Sequence, residues 1–235
     1  MTNRLMFLAV RALGLALLVS INGLAQDRFA IGKEIEALRE QLKQKENEFL
    51  APSAEDRARF AELLRQPDMG LARLMPREQY REKLSVREGG AYYSFTSLSN
   101  SYDSDPQIGF EQGTLHTGFA GANFGFLVEL GDIPIEKVDL DHPAVRYLAE
   151  FVAPTAEPDA REQQRKTGSG FRIADRTYRS SQTASVGPTY VLRSVSYDSS
   201  DVLVAFCVVR QDTDGSLILL WKKLKQFPIP HLARQ

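Results

Sequence analysis

Residues 189–224, TYVLRSVSYDSSDVLVAFCVVRQDTDGSLILLWKKL, decide the fold that this sequence predicts. They contain three apolar runs rich in β-branched side chains, which favour strands. Two turn segments separate the runs: residues 197–201 are Tyr, Asp and Ser, and residues 212–215 end in Gly215, which tolerates the positive φ of a hairpin loop. Because neighbouring strands joined by short loops pair with each other, the stretch predicts an antiparallel meander of three strands.

The middle run, residues 201–211, is apolar on both of its faces. Strand side chains alternate between faces with a period of two. One face therefore carries Val202, Val204, Phe206 and Val208, and the other carries Leu203, Ala205, Cys207 and Val209. A strand of this kind has to be covered on both sides. The sequence thus predicts a central strand that lies between two layers.

The composition is that of an ordinary globular protein. Of 235 residues, 43% are hydrophobic and 25% are charged, which argues against global disorder. A net charge of -1 and a pI near 6.3 lack the basic excess that nucleic-acid-binding proteins usually show. Cys207 is the single cysteine, so no intramolecular disulfide can form, and its apolar strand predicts a buried, inert thiol.

Residues 1–25 have the parts of a secretory signal peptide. Arg4 and Arg11 give the positive first region, residues 12–21 are an apolar run of the right length, and small residues at Gly23 and Ala25 predict cleavage after Ala25. The alternative is an uncleaved membrane anchor, for which the apolar run is too short. The sequence therefore predicts an exported protein, periplasmic or secreted, with no membrane span after cleavage.

Residues 26–50 predict a helix of coiled-coil character, because they are rich in Glu, Lys, Gln, Leu and Ala. Its apolar residues are spaced alternately four and three apart, with Lys45 at the one polar position of the series: Ile31, Ile35, Leu38, Leu42 and Phe49. This spacing is typical of a coiled-coil seam. One interpretation is docking to another helix, in a homo-oligomer or with a partner. The other is an amphipathic helix that packs on its own domain.

Residues 51–235 predict a single α+β domain. Ser53, with Asp56 three residues later, predicts the N-cap of a second helix that ends near Gln66, and residues 71–84 predict short helical or irregular pieces. Residues 89–131 are rich in glycine and aromatic side chains and predict strands at 91–96, 114–117 and 124–130. This second antiparallel group either pairs with the meander or packs on it. Helices predicted at 143–151 and 155–166 complete the cover.

Residues 139–143, Asp-Leu-Asp-His-Pro, are the strongest candidate for a catalytic site. Asp139, Asp141 and His142 are candidates for an acid–base or metal-binding group, and His116 is a further candidate. Asp141 before Pro143 is also typical of a helix N-terminus, with the aspartate as the cap, and we favour that interpretation. The three histidines have no metal-ligand spacing. The sequence therefore assigns no catalytic residue, no metal ligand and no cofactor.

Three further patterns suggest binding. The sequence from Asp212 to Gly215 resembles part of a calcium loop, but the acidic ligands that would complete it are missing, so a hairpin turn is favoured. Residues 221–225, Trp-Lys-Lys-Leu-Lys, form a basic patch that could meet an anionic polymer or discourage edge pairing. Aromatic strand residues could stack on sugars or peptides, although such residues are usually core: Tyr92, Tyr93, Phe95, Tyr102, Phe110, Phe119, Phe124 and Phe126.

These observations lead to one main hypothesis and two alternatives. The main hypothesis is a non-enzymatic binding or interaction module of the cell envelope or extracellular space, with a protein or polymer partner at the helix of residues 31–50 or at the aromatic strands. One alternative is a small hydrolase or carbohydrate-active enzyme that uses an Asp/His site. The other is a homo-oligomeric structural protein built on the coiled-coil-like helix.

Overall fold

The computed structural model of the protein describes residues 28–233. The predicted signal peptide, residues 1–25, lies outside the described residues. The chain separates into two units between Glu48 and Phe49. In the first unit, residues 28–48 are helical throughout. The second unit carries the strands.

The secondary structure is of the α+β class, as predicted. The strands are β1 (Met69–Leu74), β2 (Tyr92–Tyr93), β3 (Ile108–Glu111), β4 (Thr114–His116), β5 (Phe124–Gly131), β6 (Phe171–Ile173), β7 (Arg176–Tyr178), β8 (Ser181–Thr183), β9 (Thr189–Ser196), β10 (Ser200–Gln211) and β11 (Leu217–Gln226). The helices are α1 (residues 28–50), α2 (Ala54–Arg59), α3 (Ala61–Leu64), α4 (Arg77–Tyr80), α5 (Pro143–Glu150) and α6 (Glu157–Ser169), with 3₁₀ turns at Arg87–Gly90, Tyr102–Ser104 and Ile135–Lys137.

The predicted meander forms the centre of a five-stranded antiparallel sheet. The strand order is β1-β11-β10-β9-β5, and each neighbouring pair is antiparallel. The turn between β10 and β11 is the predicted hairpin: Asp212 N–H donates to the Ser216 carbonyl at 2.8 Å, and Gly215 has a φ of 82°. Gly215 supplies the positive φ that this loop requires.

Both faces of β10 are covered, as its sequence predicts. On one face, Leu203 and Ala205 pack in a core with residues of α5 and α6, among them Val145 and Ala160. On the other face, Val202, Val204, Phe206 and Val208 pack in a second core with the strands of a separate sheet. The second unit therefore has a helical layer, a central sheet and a second sheet.

The glycine- and aromatic-rich segment divides between the two sheets. Its last strand, β5, pairs with β9 and extends the central sheet. Its earlier strands, β2, β3 and β4, form a four-stranded antiparallel sheet with the later strand β8, in the order β2-β3-β4-β8. Strands β6 and β7 form a separate hairpin. Both alternatives for this group, pairing with the meander and packing on it, are thus realised by different strands.

The interpretation of residues 71–84 as helical or irregular is wrong over its first part. Residues 69–74 form strand β1, which pairs antiparallel with β11 at the edge of the central sheet. Met, Leu, Ala and Arg are good helix formers, but pairing with an open sheet edge outweighs a local preference of that size. Gly70 lies opposite Trp221 in this pair of strands. Because glycine has no Cβ, the indole can lie directly against its backbone, and β1 can pair here with β11.

The predicted second helix is two short helices. The capping box at its start is confirmed: Asp56 N–H donates to Ser53 Oγ at 3.0 Å, and Ser53 N–H donates to Asp56 Oδ2 at 3.1 Å. The helical geometry is interrupted at Phe60, between α2 and α3.

Candidate interaction surface

Helix α1 exposes a row of apolar side chains over its first four turns. We name Ile31, Ile35, Leu38 and Leu42 the apolar stripe. Their exposed fractions are 54%, 43%, 57% and 49%. Residues three and four apart lie on the same side of a helix, so the four side chains form one continuous strip.

Charged side chains flank the apolar stripe. Glu34 lies beside it on one side and Arg39 on the other, and both are exposed. In heptad terms, the spacing of the stripe places Glu34 at a g position and Arg39 at an e position, where charges set partner choice. The sequence interpretation overlooked these two residues. The sequence feature that could have identified them is their g and e positions in the heptad, since charged residues are common everywhere on an exposed helix.

The apolar series does not continue with the same exposure beyond Leu42. Lys45 occupies the next heptad position and pairs with Glu48 at 2.7 Å between Nζ and Oε2. Phe49, which belongs to the second unit, has its ring 5.5 Å from the Tyr80 ring, and the Arg73 guanidinium lies 5.4 Å from the Phe49 ring centroid. Phe49 is therefore engaged within the globular unit, and the stripe consists of four residues.

Most of the aromatic residues that suggested stacking are core residues. Tyr93, Phe95, Phe110, Phe124 and Phe126 are buried in the two cores. The hypothesis of a ligand that stacks on these five rings is therefore wrong.

Three aromatic residues instead pack on one another at the outer face of the second sheet. The Tyr92 ring lies 4.8 Å from the Tyr102 ring and 4.9 Å from the Phe119 ring, both edge to face. Tyr92 lies over Gly109, where a Cβ would meet the tyrosine ring at 2.7 Å. Arg87 stacks on Tyr102 at 4.7 Å. The three rings therefore pack mainly against one another.

Residues 139–142 form a local turn that is held by hydrogen bonds from backbone N–H groups to the Asp139 side chain. Asp139 Oδ1 accepts hydrogen bonds from the backbone N–H groups of Asp141 and His142 at 3.0 and 3.1 Å. The prediction that Asp141 caps α5 is wrong, because His142 holds the N-cap position and Asp141 points to solvent. Pro143 at the first helical position is confirmed. Asp139 instead forms a turn that precedes the helix, and among the described residues no side-chain hydrogen bond caps α5 itself.

The other candidate histidine lies elsewhere. His116 is in β4, which contributes to the core on the second-sheet side, whereas α5 covers the opposite face of the central sheet. Burial lowers the pKa of His116. The structure therefore does not bring His116 together with Asp139, Asp141 and His142. No group of three or more His, Cys, Asp or Glu side chains within residues 28–233 is placed to hold a metal ion.

The carboxylates of the hairpin at 212–215 are bound by arginines. Asp214 Oδ2 accepts from Arg73 Nη2 at 2.9 Å, and Asp212 Oδ1 accepts from Arg210 Nε at 2.5 Å. Arg210 also pairs with Asp56, whose side chain is buried. These arginines neutralise the charges that a calcium ion would need, so the hairpin interpretation holds.

The lysines after Trp221 bond to neighbouring parts of the domain. Lys222 Nζ donates to the Val138 carbonyl at 2.9 Å, Lys223 pairs with Asp68 at 3.1 Å, and Lys225 Nζ donates to the Ala149 carbonyl at 3.3 Å. Each lysine therefore has a structural role, which weakens the interpretation of residues 221–225 as a patch for an anionic polymer.

Comparison with known proteins adds no functional assignment. No protein-family model, no curated protein and no solved structure matches this chain. Within the part of the chain that the structure describes, no helix has the length and apolar character needed to cross a bilayer.

Proposed function

We propose that this protein is an exported, non-enzymatic interaction module that docks a protein partner through the apolar stripe of α1. The observation that carries the proposal is the exposure of Ile31, Ile35, Leu38 and Leu42 on one side of a helix. Contiguous exposed apolar surface with polar flanks is typical of an interaction site. A helix of this kind binds by laying its apolar side against another helix or into a groove.

The free energy expected from burying the apolar stripe is in the range of a reversible docking interaction. Full burial of one Leu or Ile side chain stabilises by about 1.5–3 kcal/mol relative to full exposure. Covering four half-exposed side chains would therefore contribute on the order of several kcal/mol. Association costs several kcal/mol in lost freedom, so the stripe supports a reversible interaction more readily than a permanent one.

The place of action follows from the first 25 residues. Their positive start, apolar run and small residues before Gln26 support export to the periplasm or the extracellular space. Cleavage after Ala25 would leave the stripe close to the new N-terminus.

The test is cross-linking in the cells that make the protein, with a C-terminal tag on the full chain. Ile35→Gln/Leu38→Gln removes the centre of the stripe and keeps good helix formers. Glu36→Gln/Glu40→Gln is the matched control, because these exposed residues lie on the opposite side of the helix. We expect stripe-dependent adducts in the wild type and the control and their loss in the stripe variant. Identical adducts in all three proteins would contradict the proposal.

Export is tested on the same purified material by N-terminal sequencing and intact mass. An N-terminus at Gln26 is expected. Protein that retains Met1 and stays in the cytoplasm would refute the export part of the proposal.

A further inference from the structure

We infer that the partner of the apolar stripe is a second copy of this chain, bound in a parallel, in-register two-stranded coiled coil. The inference rests on the proposed function, because it names the partner of the same surface. It is carried by two features of residues 31–42: the type of apolar residue at each heptad position and the charges that flank them.

The core positions fit a parallel pair. The alternating four and three spacing places Ile35 and Leu42 at a positions and Ile31 and Leu38 at d positions. In register, each of these side chains meets its own copy, which gives four consecutive apolar layers. A β-branched residue at a followed by Leu at d favours two strands, and Ile35 with Leu38 supplies that combination in the middle of the stripe. The outer positions, Leu42 at a and Ile31 at d, are the reverse combination, which favours more strands, so the preference for two strands comes from the central layers.

The flanking charges fit the same arrangement. In a parallel coiled coil, the residue at g of one heptad faces the residue at e of the next heptad in the other chain. Glu34 of each copy would therefore face Arg39 of the other, which gives two opposite-charge pairs related by the two-fold axis. Both side chains are exposed and lie at the border of the stripe.

An antiparallel pair uses these charges less well. The antiparallel register that keeps four apolar layers aligns Ile31 with Leu42 and Ile35 with Leu38. Since g then faces g and e faces e, Glu34 faces Gln41, and Arg39 faces Gly32. Neither charge meets an opposite charge across the interface, so charge complementarity selects the parallel orientation.

The interface is short, which sets its strength. Lys45 replaces an apolar residue at the next d position and is paired with Glu48. Phe49, at the following a position, packs against Tyr80. Because fewer than three heptads are available, we expect a reversible dimer whose population depends on protein concentration.

Sedimentation equilibrium on the exported, full chain tests the inference with a charge swap. Glu34→Arg and Arg39→Glu each convert two attractions into two repulsions. One exposed ion pair contributes only part of the binding free energy that corresponds to a tenfold change in affinity, but each single variant loses two attractions and gains two repulsions. We therefore expect each single variant to raise the dimer dissociation constant about tenfold. The double variant Glu34→Arg/Arg39→Glu restores both pairs in reverse, and we expect its dissociation constant within about threefold of the wild type. A double variant at least as weak as the singles would overturn the charge pairing.

Disulfide trapping tests the orientation. In a Cys207→Ser background, Ile31→Cys places one thiol in the same layer of both chains of a parallel pair. We expect fast oxidation to a covalent dimer. Covalent dimer that forms only when Ile31→Cys chains are mixed with Leu42→Cys chains would show an antiparallel pair and overturn the inference.

Three outcomes would contradict this inference, and they differ in what they leave of the proposed function. A wild type that stays monomeric at all concentrations, but still gives stripe-dependent adducts with a different protein, refutes the dimer and leaves the interaction module. A monomer with no stripe-dependent adducts refutes both. A dimer that Ile35→Gln/Leu38→Gln does not weaken would place self-association on another surface, and the inference would again be wrong.

Discussion

Arg193 of β9 and Asp201 of β10 form a bidentate ion pair inside the domain. Arg193 Nε donates to Asp201 Oδ1 at 2.9 Å and Nη2 donates to Oδ2 at 2.7 Å, with 2% and 3% of the two side chains exposed. Arg193 Nη1 also donates to the carbonyls of Leu148 and Phe151 at the end of α5, and the Phe227 ring lies 3.7 Å from the guanidinium. One side chain thus ties the central sheet to the helical layer and the C-terminal tail.

Replacing Arg193 alone should be severely destabilising. Arg193→Met leaves the Asp201 carboxylate buried without its cation, and we expect the free energy of unfolding to fall by about 3–5 kcal/mol. Urea unfolding followed by the fluorescence of Trp221, the single tryptophan, measures it. Arg193→Met/Asp201→Leu leaves no unpaired charge and should be less destabilised than the single variant. A double variant that is no more stable than Arg193→Met would contradict this account.

Replacement by alanine should have opposite effects on stability at Gly70 and at Gly168. A Cβ on Gly70 would lie 2.3 Å from the Trp221 ring, which is buried, so Gly70→Ala should cost about 1–3 kcal/mol. Gly168 lies in α6, and a methyl group added there would have nothing within 4 Å, so Gly168→Ala should stabilise by about 0.5–1 kcal/mol. Thermal unfolding of both variants tests the pair. A Gly70→Ala protein as stable as the wild type would show that the indole moves aside freely.

The sequence predicted the sheet best where the apolar pattern had a single interpretation. The run from Val202 to Val209 is apolar on both faces, and such a strand is stable only between two layers. Strand β1 could not be predicted in the same way. Residues 69–74 have no strand periodicity, and their conformation depends on the edge of β11, which is far away in the chain.

The sequence predicted the spacing of the apolar stripe but could not predict that its side chains are exposed. An amphipathic helix has the same spacing whether its apolar side packs on its own domain or binds another molecule. The exposed fractions of Ile35 and Leu38 come only from the structure. The failure at Asp141 has a similar cause, because Asp139 and Asp141 can both bond to nearby backbone N–H groups and only the path of the chain decides which of them does so.

Asp56 should stabilise the start of the globular unit. Burial acts to raise its pKa, but bonds from Arg210 and Ser53 outweigh it and hold the pKa below the ordinary value. A carboxyl with a lowered folded pKa contributes stability at neutral pH that is lost as the pH falls through the acid range. We expect Asp56→Asn to cost about 1–2 kcal/mol at pH 7 and much less near pH 3. Urea unfolding at the two pH values measures the difference.

The neighbouring Glu55 is the control for Asp56, because it is also in the first turn of α2 but exposed. Glu55→Gln should change stability by no more than about 0.5 kcal/mol at either pH. An Asp56→Asn cost that does not depend on pH would show that the carboxylate charge contributes nothing.

Cys207 should make the protein less stable in alkali. Burial raises the pKa of its thiol from 9.0 to about 11, and nearby Glu136 adds to the rise. Between these values the unfolded chain loses a proton that the folded protein keeps, so stability falls as the pH rises from 9 to 11. The full loss from this group is roughly 2–3 kcal/mol.

The variant Cys207→Ala isolates this loss, because it keeps the buried tyrosines that also titrate in alkali. We expect the wild type to lose more stability than the variant between pH 8 and pH 10.5 in urea unfolding. The thiol should also react with a disulfide reagent at pH 8 about a hundredfold more slowly in the folded protein than in urea, because only the thiolate reacts. Equal rates in the two states would show that the thiol is not shielded in the folded protein.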